Sequence, residues 1–322
     1  MNVRTILATL AVGIVAALGF AASFPLQLWN FSAAEVERRL VQPESQFVVL
    51  DGTRVHFMDQ GPRDAPVIVL LHNDRGSLFI FDRTVPHLID AYRVIRLDLL
   101  SYGLTGEAAD GDYTMEHNAR IVGLLADHLK LDRFVLVGIS TPAVAAFRYA
   151  SAHPERVTAL VLSNAAGLPR LPDQKLNLPN PNPVLNWIYG YFRPRAEVES
   201  HYVDIKYPLG VPADVINADY VMNNRRDRYL ERRKLMSQYK VADHQAILGR
   251  IASPVLILWG EFCELKPGEA ERFKAWLTSA PTVEIKVYEN VGHLLFTDAG
   301  ERAARDIRAF TSKFAATDRR TP

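Results

Sequence analysis

Phe134-Val-Leu-Val-Gly138-Ile-Ser140-Thr-Pro-Ala-Val-Ala-Ala146 is the stretch that decides how the rest of the chain is organised. The β-branched and apolar run from Phe134 to Val137 has the composition of a strand buried on both faces. It stops at Gly138-Ile139-Ser140, and Ala-rich, helix-forming sequence follows at once. A chain that turns from strand into helix around Gly-x-Ser holds the serine on a sharp bend. The hydroxyl then stands clear of the backbone, beside the positive end of the new helix. The plainer alternative is an ordinary strand-to-helix turn in which Ser140 only caps the helix. Gly-x-Ser does not separate the two, so a base, an acid and an oxyanion site must come from elsewhere.

Working outward, strand and helix patterns alternate. Phe47 to Leu50 and Thr53 to Met58 read as two strands joined by a tight Asp51-Gly52 hairpin. Val67 to Leu71 and Val94 to Leu97 are short apolar strands, ending in His72-Asn73-Asp74-Arg75-Gly76 and in Asp98. Met115 to Lys130 carries apolar residues at helical spacing behind a Thr114 cap. Ala159 to Leu162, Val255 to Trp259 and Val283 to Tyr288 continue the strand pattern, and Asp298 to Phe314 reads as a final helix opened by a capping box of Asp298 and Glu301. The fold class is therefore α/β, a mostly parallel sheet covered by helices on both faces. Ligands bind such sheets beyond the carboxyl ends of the strands. His72, Asp98, Ser140, Asn164, the Glu261–Glu264 turn and His293 all fall there.

The chain has 322 residues, 48% hydrophobic content and a net charge of +1, which gives no reason to expect a nucleic-acid partner. One cysteine, Cys263, excludes an internal disulfide framework and a zinc site built of cysteines; no metal cluster is visible and no cofactor is expected. After Arg4 no charge occurs before Glu35, and Ile6 to Phe24 is almost wholly apolar, about the 20 residues that span a bilayer. A basic start before such a run fits an export signal, with the rest of the chain outside the cytoplasm, in the periplasm. An uncleaved anchor is favoured over a cleaved signal because the run continues through Phe24-Pro-Leu-Gln-Leu-Trp29.

From about Leu168 the pattern breaks. A proline- and asparagine-rich stretch (Leu171 to Pro183) leads into helical, aromatic-rich sequence with Trp187, Tyr189, Tyr191, Phe192, Tyr202, Tyr207 and Tyr220, read as a lid over the sheet's carboxyl edge. Arg225-Arg226, Arg228 and Arg232-Arg233-Lys234 read as a solvated helix face interleaved with acids, with a membrane-facing surface or an anionic-substrate contact as the lesser alternative. The expected division is an anchor or signal over 1–31, a core in two parts over 32–167 and 248–322, and the lid over 168–247.

Nearly everything from Gln46 to Phe314 resembles the α/β-hydrolase superfamily. The resemblance is carried by Val67-Ile-Val-Leu-Leu-His72, Tyr92-Arg-Val-Ile-Arg-Leu-Asp98 with Tyr102-Gly-Leu-Thr-Gly106, Val137-Gly-Ile-Ser140, His153-Pro-Glu-Arg-Val157, Leu256-Ile-Leu-Trp-Gly-Glu261 and Val291-Gly-His293. The Arg-Leu-Asp and Tyr-Gly-Leu-Thr-Gly stretch is similar to a bacterial, often membrane-anchored branch. The resemblance implies Ser140 as nucleophile, His293 as its base, and an oxyanion hole made by the N–H of Thr141. A second N–H is implied from the loop after His72, at Asn73 or Asp74, with Asp74 favoured by position.

Three positions depart from the family pattern. Asn73 stands where glycine is usual, and asparagine tolerates the left-handed backbone expected there. Pro142 replaces the glycine after Ser-x, which a first helical turn accepts. Cys263 stands where the acid falls, so the neighbouring Glu264 is expected to turn inward as the third member of the triad, with Glu261 second. The implied activity is cleavage of a small-molecule carboxylic ester. The alternative is a hydrolase-fold protein that binds a small ligand or partner without turnover. A dehalogenase or epoxide hydrolase needs a carboxylate nucleophile, and position 140 is serine.

Overall fold

Each apolar run becomes a strand because its neighbours can pair with it and both faces find a helix to bury against. The computed structural model describes residues 2–169, 182–204, 210–238, 244–265 and 268–315. Its single sheet contains β1 (Ser45–Leu50), β2 (Thr53–Gln60), β3 (Val67–Leu71), β4 (Arg93–Leu97), β5 (Phe134–Ile139), β6 (Val157–Ser163), β7 (Val255–Gly260) and β8 (Val283–Tyr288). The strand order is β1-β2-β4-β3-β5-β6-β7-β8. β1 and β2 form the expected hairpin, with positive φ at Asp51 and Gly52, and β2 runs antiparallel to β4; every other pairing is parallel.

Parallel strands buried on both sides sort their residues by parity. Phe134 and Leu136 of β5 face one core with Ile257 and Trp259 of β7, while Val135 and Val137 face the other with Leu256 and Leu258. The helices over the sheet and beyond it are α1 (Val3–Ser23), α2 (Ala33–Leu40), α3 (Met115–His128), α4 (Ala143–Ala152), α5 (Pro183–Tyr191), α6 (Arg195–Asp204), α7 (Ala213–Asn223), α8 (Arg228–Gln238), α9 (Gln245–Leu248), α10 (Gly268–Trp276), α11 (Leu295–Asp298) and α12 (Gly300–Ala315). Ile121 and Val122 of α3, Phe147 of α4 and Phe273 of α10 fill the first core; Ile307 and Phe310 of α12 fill the second.

One boundary differs from expectation. Asp298 does not open the last helix: it closes α11, and its carboxylate accepts the Gly292 N–H at 3.2 Å. A backbone N–H in the turn before His293 thus claims the side chain that a capping box would have used.

Helices α5 to α8 lie between β6 and β7. Residues 170–181, holding nearly all of the expected Pro- and Asn-rich stretch, and Tyr207 lie outside the described residues. The basic stretch is not one solvated face. Arg225 and Arg228 are buried and both pair with buried Glu231; Arg225 also donates to the carbonyl of Thr105 (3.2 Å) and Arg228 to those of Ser101 and Gly103. A charge spacing that reads as amphipathic in isolation is here turned toward the carbonyl-rich loop after β4.

α1 is 21 residues long, so at about 1.5 Å per residue it matches a bilayer's hydrocarbon core of about 30 Å. Its apolar side chains are exposed, and by length and composition it could cross a membrane, as an anchor or a signal would. The segment after it docks on the inserted helices: Phe24 meets the Trp187 ring at 6.0 Å, Asn30 Nδ2 donates to Tyr191 O, and Phe31 N donates to Asn224 O.

Gly138 marks where β5 and α4 come closest, since a Cβ there would lie 2.7 Å from Ala143 Cα and from Ala146 Cβ. Gly138→Ala should therefore lower stability by about 1–3 kcal/mol, as overpacking does. Denaturant unfolding of the purified protein reads this, and an unchanged midpoint would contradict so tight a contact.

Candidate active site

β5 ends at Ile139, and Ser140 takes φ of +54°, a left-handed conformation that costs a non-glycine residue on the order of 1–3 kcal/mol. Its surroundings hold it there. Ser140 N donates to Ser163 O at 3.1 Å, and Ser140 O accepts from Ala143 N (3.1 Å) and Ala166 N (3.0 Å). Pro142 is the residue before α4, with φ −58° and ψ −18°, a helical geometry in which its missing N–H has no partner to lose.

Ser140 Oγ makes no hydrogen bond among the described residues, to His293 or to any other group. The N–H groups of Thr141, Asn73 and Asp74 likewise donate to no group among the described residues, so all three remain available to an oxyanion. The loop that carries Asn73 and Asp74 is fixed by His72, which is fully buried. His72 Nε2 accepts the Leu99 N–H at 3.2 Å, so Nδ1 carries the proton and donates to Asn73 O at 2.7 Å. Burial pushes the His72 pKa down despite nearby Asp98, in keeping with a neutral ring.

The left-handed residue of this loop is Arg75 (φ +61°), not Asn73. Asn73 instead lays its amide against Gly76, whose missing Cβ leaves the space, and its Nδ2 donates to Asp74 O.

His293 follows β8 and is nearly buried. Two groups meet at its Nδ1 side, Glu264 Oε1 at 3.2 Å and Cys263 Sγ at 3.2 Å, and Sγ in turn lies 3.7 Å from Glu264 Oε2. Glu261 is turned away and accepts the Asn290 N–H at 3.0 Å. Burial, and then the charge of Glu264, push the Cys263 thiol pKa well up. The thiol therefore stays protonated and donates to the carboxylate; it brings no second negative charge to the ring. The same donor atoms lie within 4.8 Å of one another, a set that a divalent cation could use and that the sequence did not disclose. Asp51, Asp110 and His117 form a second such group, where Asp51 is already paired with Arg120 and His117.

Asn164 joins the loops. Its Oδ1 accepts the Gly260 N–H (2.9 Å) and its Nδ2 donates to His293 O (2.8 Å), tying the ends of β6, β7 and β8 together. In sequence it is one more polar residue at a strand end, with no signal of this function. Asp98 is also structural: fully buried, it accepts from His56 Nδ1 (2.7 Å), Leu78 N (2.7 Å) and Leu104 N (2.8 Å). Burial raises its pKa, but these bonds and His56 outweigh that and hold it below the ordinary aspartate value.

A cavity of about 700 Å³ opens beside the site. Asn73, Asp74, Arg75 and Leu294, the neighbour of His293, line one wall; His201 and Tyr202 of α6 and Asp219 of α7 line another.

Residues 66–196 match the family model of the alpha/beta hydrolase fold. The chain is 26% identical to a 2-hydroxy-6-oxononadienedioate/2-hydroxy-6-oxononatrienedioate hydrolase of Cupriavidus pinatubonensis, over 77% of this chain and 89% of that one. It is 29% identical to haloalkane dehalogenase 2 of Mycobacterium bovis, over 38% of this chain and only 42% of the relative's length. Among solved structures, a bacterial membrane phospholipase A superposes with a TM-score of 0.70 at 21% identity, over 97% of this chain and 99% of that one. A meta-cleavage product hydrolase from Pseudomonas fluorescens superposes with a TM-score of 0.68 at 19% identity, over 83% and 97%.

Asn164→Leu should orphan the Gly260 N–H and the His293 carbonyl, at about 1–3 kcal/mol for each group left buried without a partner. Thermal and denaturant unfolding test this, and a variant as stable as the parent would remove the clamp. Because the folded Asp98 pKa is depressed, the stability it contributes is present above the ordinary aspartate pKa of about 3.9 and lost as pH falls through the folded value. Asp98→Asn should accordingly be less stable than the parent at neutral pH, with the gap closing in acid.

Proposed function

The chain is an α/β-hydrolase-fold protein, and from that premise we propose that it is a serine hydrolase cleaving a carboxylic ester through Ser140, His293 and Glu264. The observation that carries the reading is the 3.2 Å contact of Glu264 Oε1 with His293 Nδ1 on the same sheet rim as the strained Ser140. His293 Nε2 takes the Ser140 proton as Oγ attacks the ester carbonyl, and Glu264 holds the Nδ1–H and stabilises the imidazolium that forms. Charge developing on the carbonyl oxygen falls to the N–H of Thr141 and to one from Asn73 or Asp74. The tetrahedral intermediate expels the alcohol, which takes the proton from His293. Water, deprotonated by the same ring, then releases the acid and restores Ser140.

The relatives' names span oxononadienedioates, meta-cleavage products, haloalkanes and phospholipids, so they fix no substrate here. Ser140 argues against halide displacement, which needs a carboxylate nucleophile. We further propose that α1 anchors the protein in the membrane, with the remainder in the periplasm and α5 to α8 acting as a lid. One observation favours the alternative of a binding protein without turnover: Ser140 Oγ is not hydrogen-bonded to His293. Catalytic hydrogen bonds commonly tighten only when substrate is bound, so the serine-hydrolase reading is preferred.

A fluorophosphonate probe should label the protein, and Ser140→Ala should lose both labelling and hydrolysis of short-chain aryl esters. A folded parent that neither labels nor hydrolyses transfers the case to the binding reading. Glu264→Gln should lower turnover by up to about four orders of magnitude, as loss of a triad carboxylate does. Glu261→Gln should leave it near the parent value, and Cys263→Asp should rescue Glu264→Gln in part. Wild-type turnover in Glu264→Gln would remove Glu264 from the triad. The intact protein should also sediment with membranes and resist alkaline carbonate, whereas a soluble, unprocessed product would exclude both anchor and signal.

A further inference from the structure

At and next to the cavity beside the site lie two arginines that lack a direct hydrogen-bonded partner among the described residues. Arg75 lines it and also lines a smaller neighbouring cavity that Arg232 of α8 shares. Among the described residues neither guanidinium makes a hydrogen bond or an ion pair, although most arginines of this chain do. Near them Arg193 is nine-tenths buried and paired with Glu197, yet its Nη1 has no partner. Arg75 and Arg232 are themselves half-buried, and placing like-charged guanidiniums near one another adds repulsion.

The acids nearby relieve this only in part. Burial raises the Asp74 pKa, but Arg232, Arg75 and the Tyr102 hydroxyl at 2.7 Å outweigh it and keep it below the ordinary aspartate value, so one carboxylate stands against two guanidiniums; Asp219 accepts from Asn223 Nδ2, and burial pushes its pKa up. Two side chains feel the positive field. Burial, then Arg232 and Arg193, bring Arg75 down to about 10, while burial, then Arg75 and Arg193, bring His201 down to about 3. His201 is thus neutral at any physiological pH and cannot add a competing proton switch to the cavity.

From these placements we propose that Arg75 and Arg232 form a subsite for an anionic group, a carboxylate or phosphate, carried by the substrate. The proposal rests on the serine-hydrolase reading for the word substrate, and deepens it by naming a charge class. Arg75 lies in the same loop as Asn73 and Asp74, directly after the candidate oxyanion donors. An anion seated on it is therefore held close to the carbonyl that Ser140 would attack. Guanidinium is suited to this because its planar fork matches carboxylate and phosphate oxygens two at a time.

Calorimetric titration of the intact protein tests the subsite without requiring turnover. The probes are glutarate against neutral glutaramide, and glycerol 3-phosphate against glycerol. At least one anion should bind tenfold or more tightly than its neutral counterpart, and more weakly as salt is raised. Glutarate alone would point to esters of small diacids, and glycerol 3-phosphate alone to phospholipid headgroups; either result supports the subsite. Arg75→Gln and Arg232→Gln should each weaken binding about tenfold or more. Arg75→Lys, which keeps the charge and loses the fork, should weaken it less, and serves as well if the glutamine variant does not fold. Anions that bind no better than their neutral counterparts, or as well to folded variants, overturn the proposal. A protein that binds anions but takes no fluorophosphonate label retains the subsite and loses the hydrolase reading.

Discussion

The approach of β5 to α4 is the constraint from which the site follows. With no side chain at Gly138, the helix can begin within contact distance of the strand, and the backbone has only Ser140, Thr141 and Pro142 in which to reverse direction. The positive φ at Ser140 is the cost of that reversal, offset by three backbone hydrogen bonds to Ser163, Ala143 and Ala166. Strain of this kind persists only where the surroundings over-determine it. Here β5 lies in the middle of the sheet, between β3 and β6, and it cannot relax without disturbing both cores.

The histidine side of the site is built differently, by polar clamps across loops. Asn164 satisfies the Gly260 N–H and the His293 carbonyl with one amide, so the two loops carrying Glu264 and His293 cannot drift independently. Within that frame Cys263 and Glu264 share the Nδ1 side of His293. The Cys263 thiol is too buried and too close to Glu264 to ionise, so it acts as a donor to the carboxylate. Glu264 reaches Nδ1 with the extra methylene that distinguishes it from aspartate.

The helices between β6 and β7 contribute charge as well as cover. Arg225, Arg228 and Glu231 form a buried group that spends its hydrogen bonds on the loop after β4, which pins α8 over Tyr102 and Gly103. Arg232, one residue beyond Glu231, has no such partner among the described residues and lines the smaller cavity together with Arg75. Contacts from Phe24, Asn30 and Phe31 to these helices tie the end of α1 to the same insertion. In a membrane-anchored protein that arrangement would hold the cavity near the lipid surface.

Short continuous apolar runs and period-3.6 patterning made the sheet, its flanking helices and the position of Ser140 legible from sequence. Those features depend on local burial, which composition records directly. The apolar character of α1 was legible for the same reason. Three things were not. The left-handed residue of the loop after β3 is Arg75 because Asn73 packs its amide on Gly76, a contact invisible to a rule about single residues. Asp298 abandoned its expected cap for the Gly292 N–H, since helix ends accept whichever partner the fold brings near. Arg225 and Arg228 left the solvent because Glu231 and the carbonyls of Ser101, Gly103 and Thr105 were brought to them. The sequence by itself determined which residues form strands, helices and the bend at Ser140, because those choices are made within a few residues. Only the tertiary structure decided which of Glu261, Cys263 and Glu264 meets His293, and which arginines are left without partners, because those pairings join segments that meet in space only once the sheet is assembled.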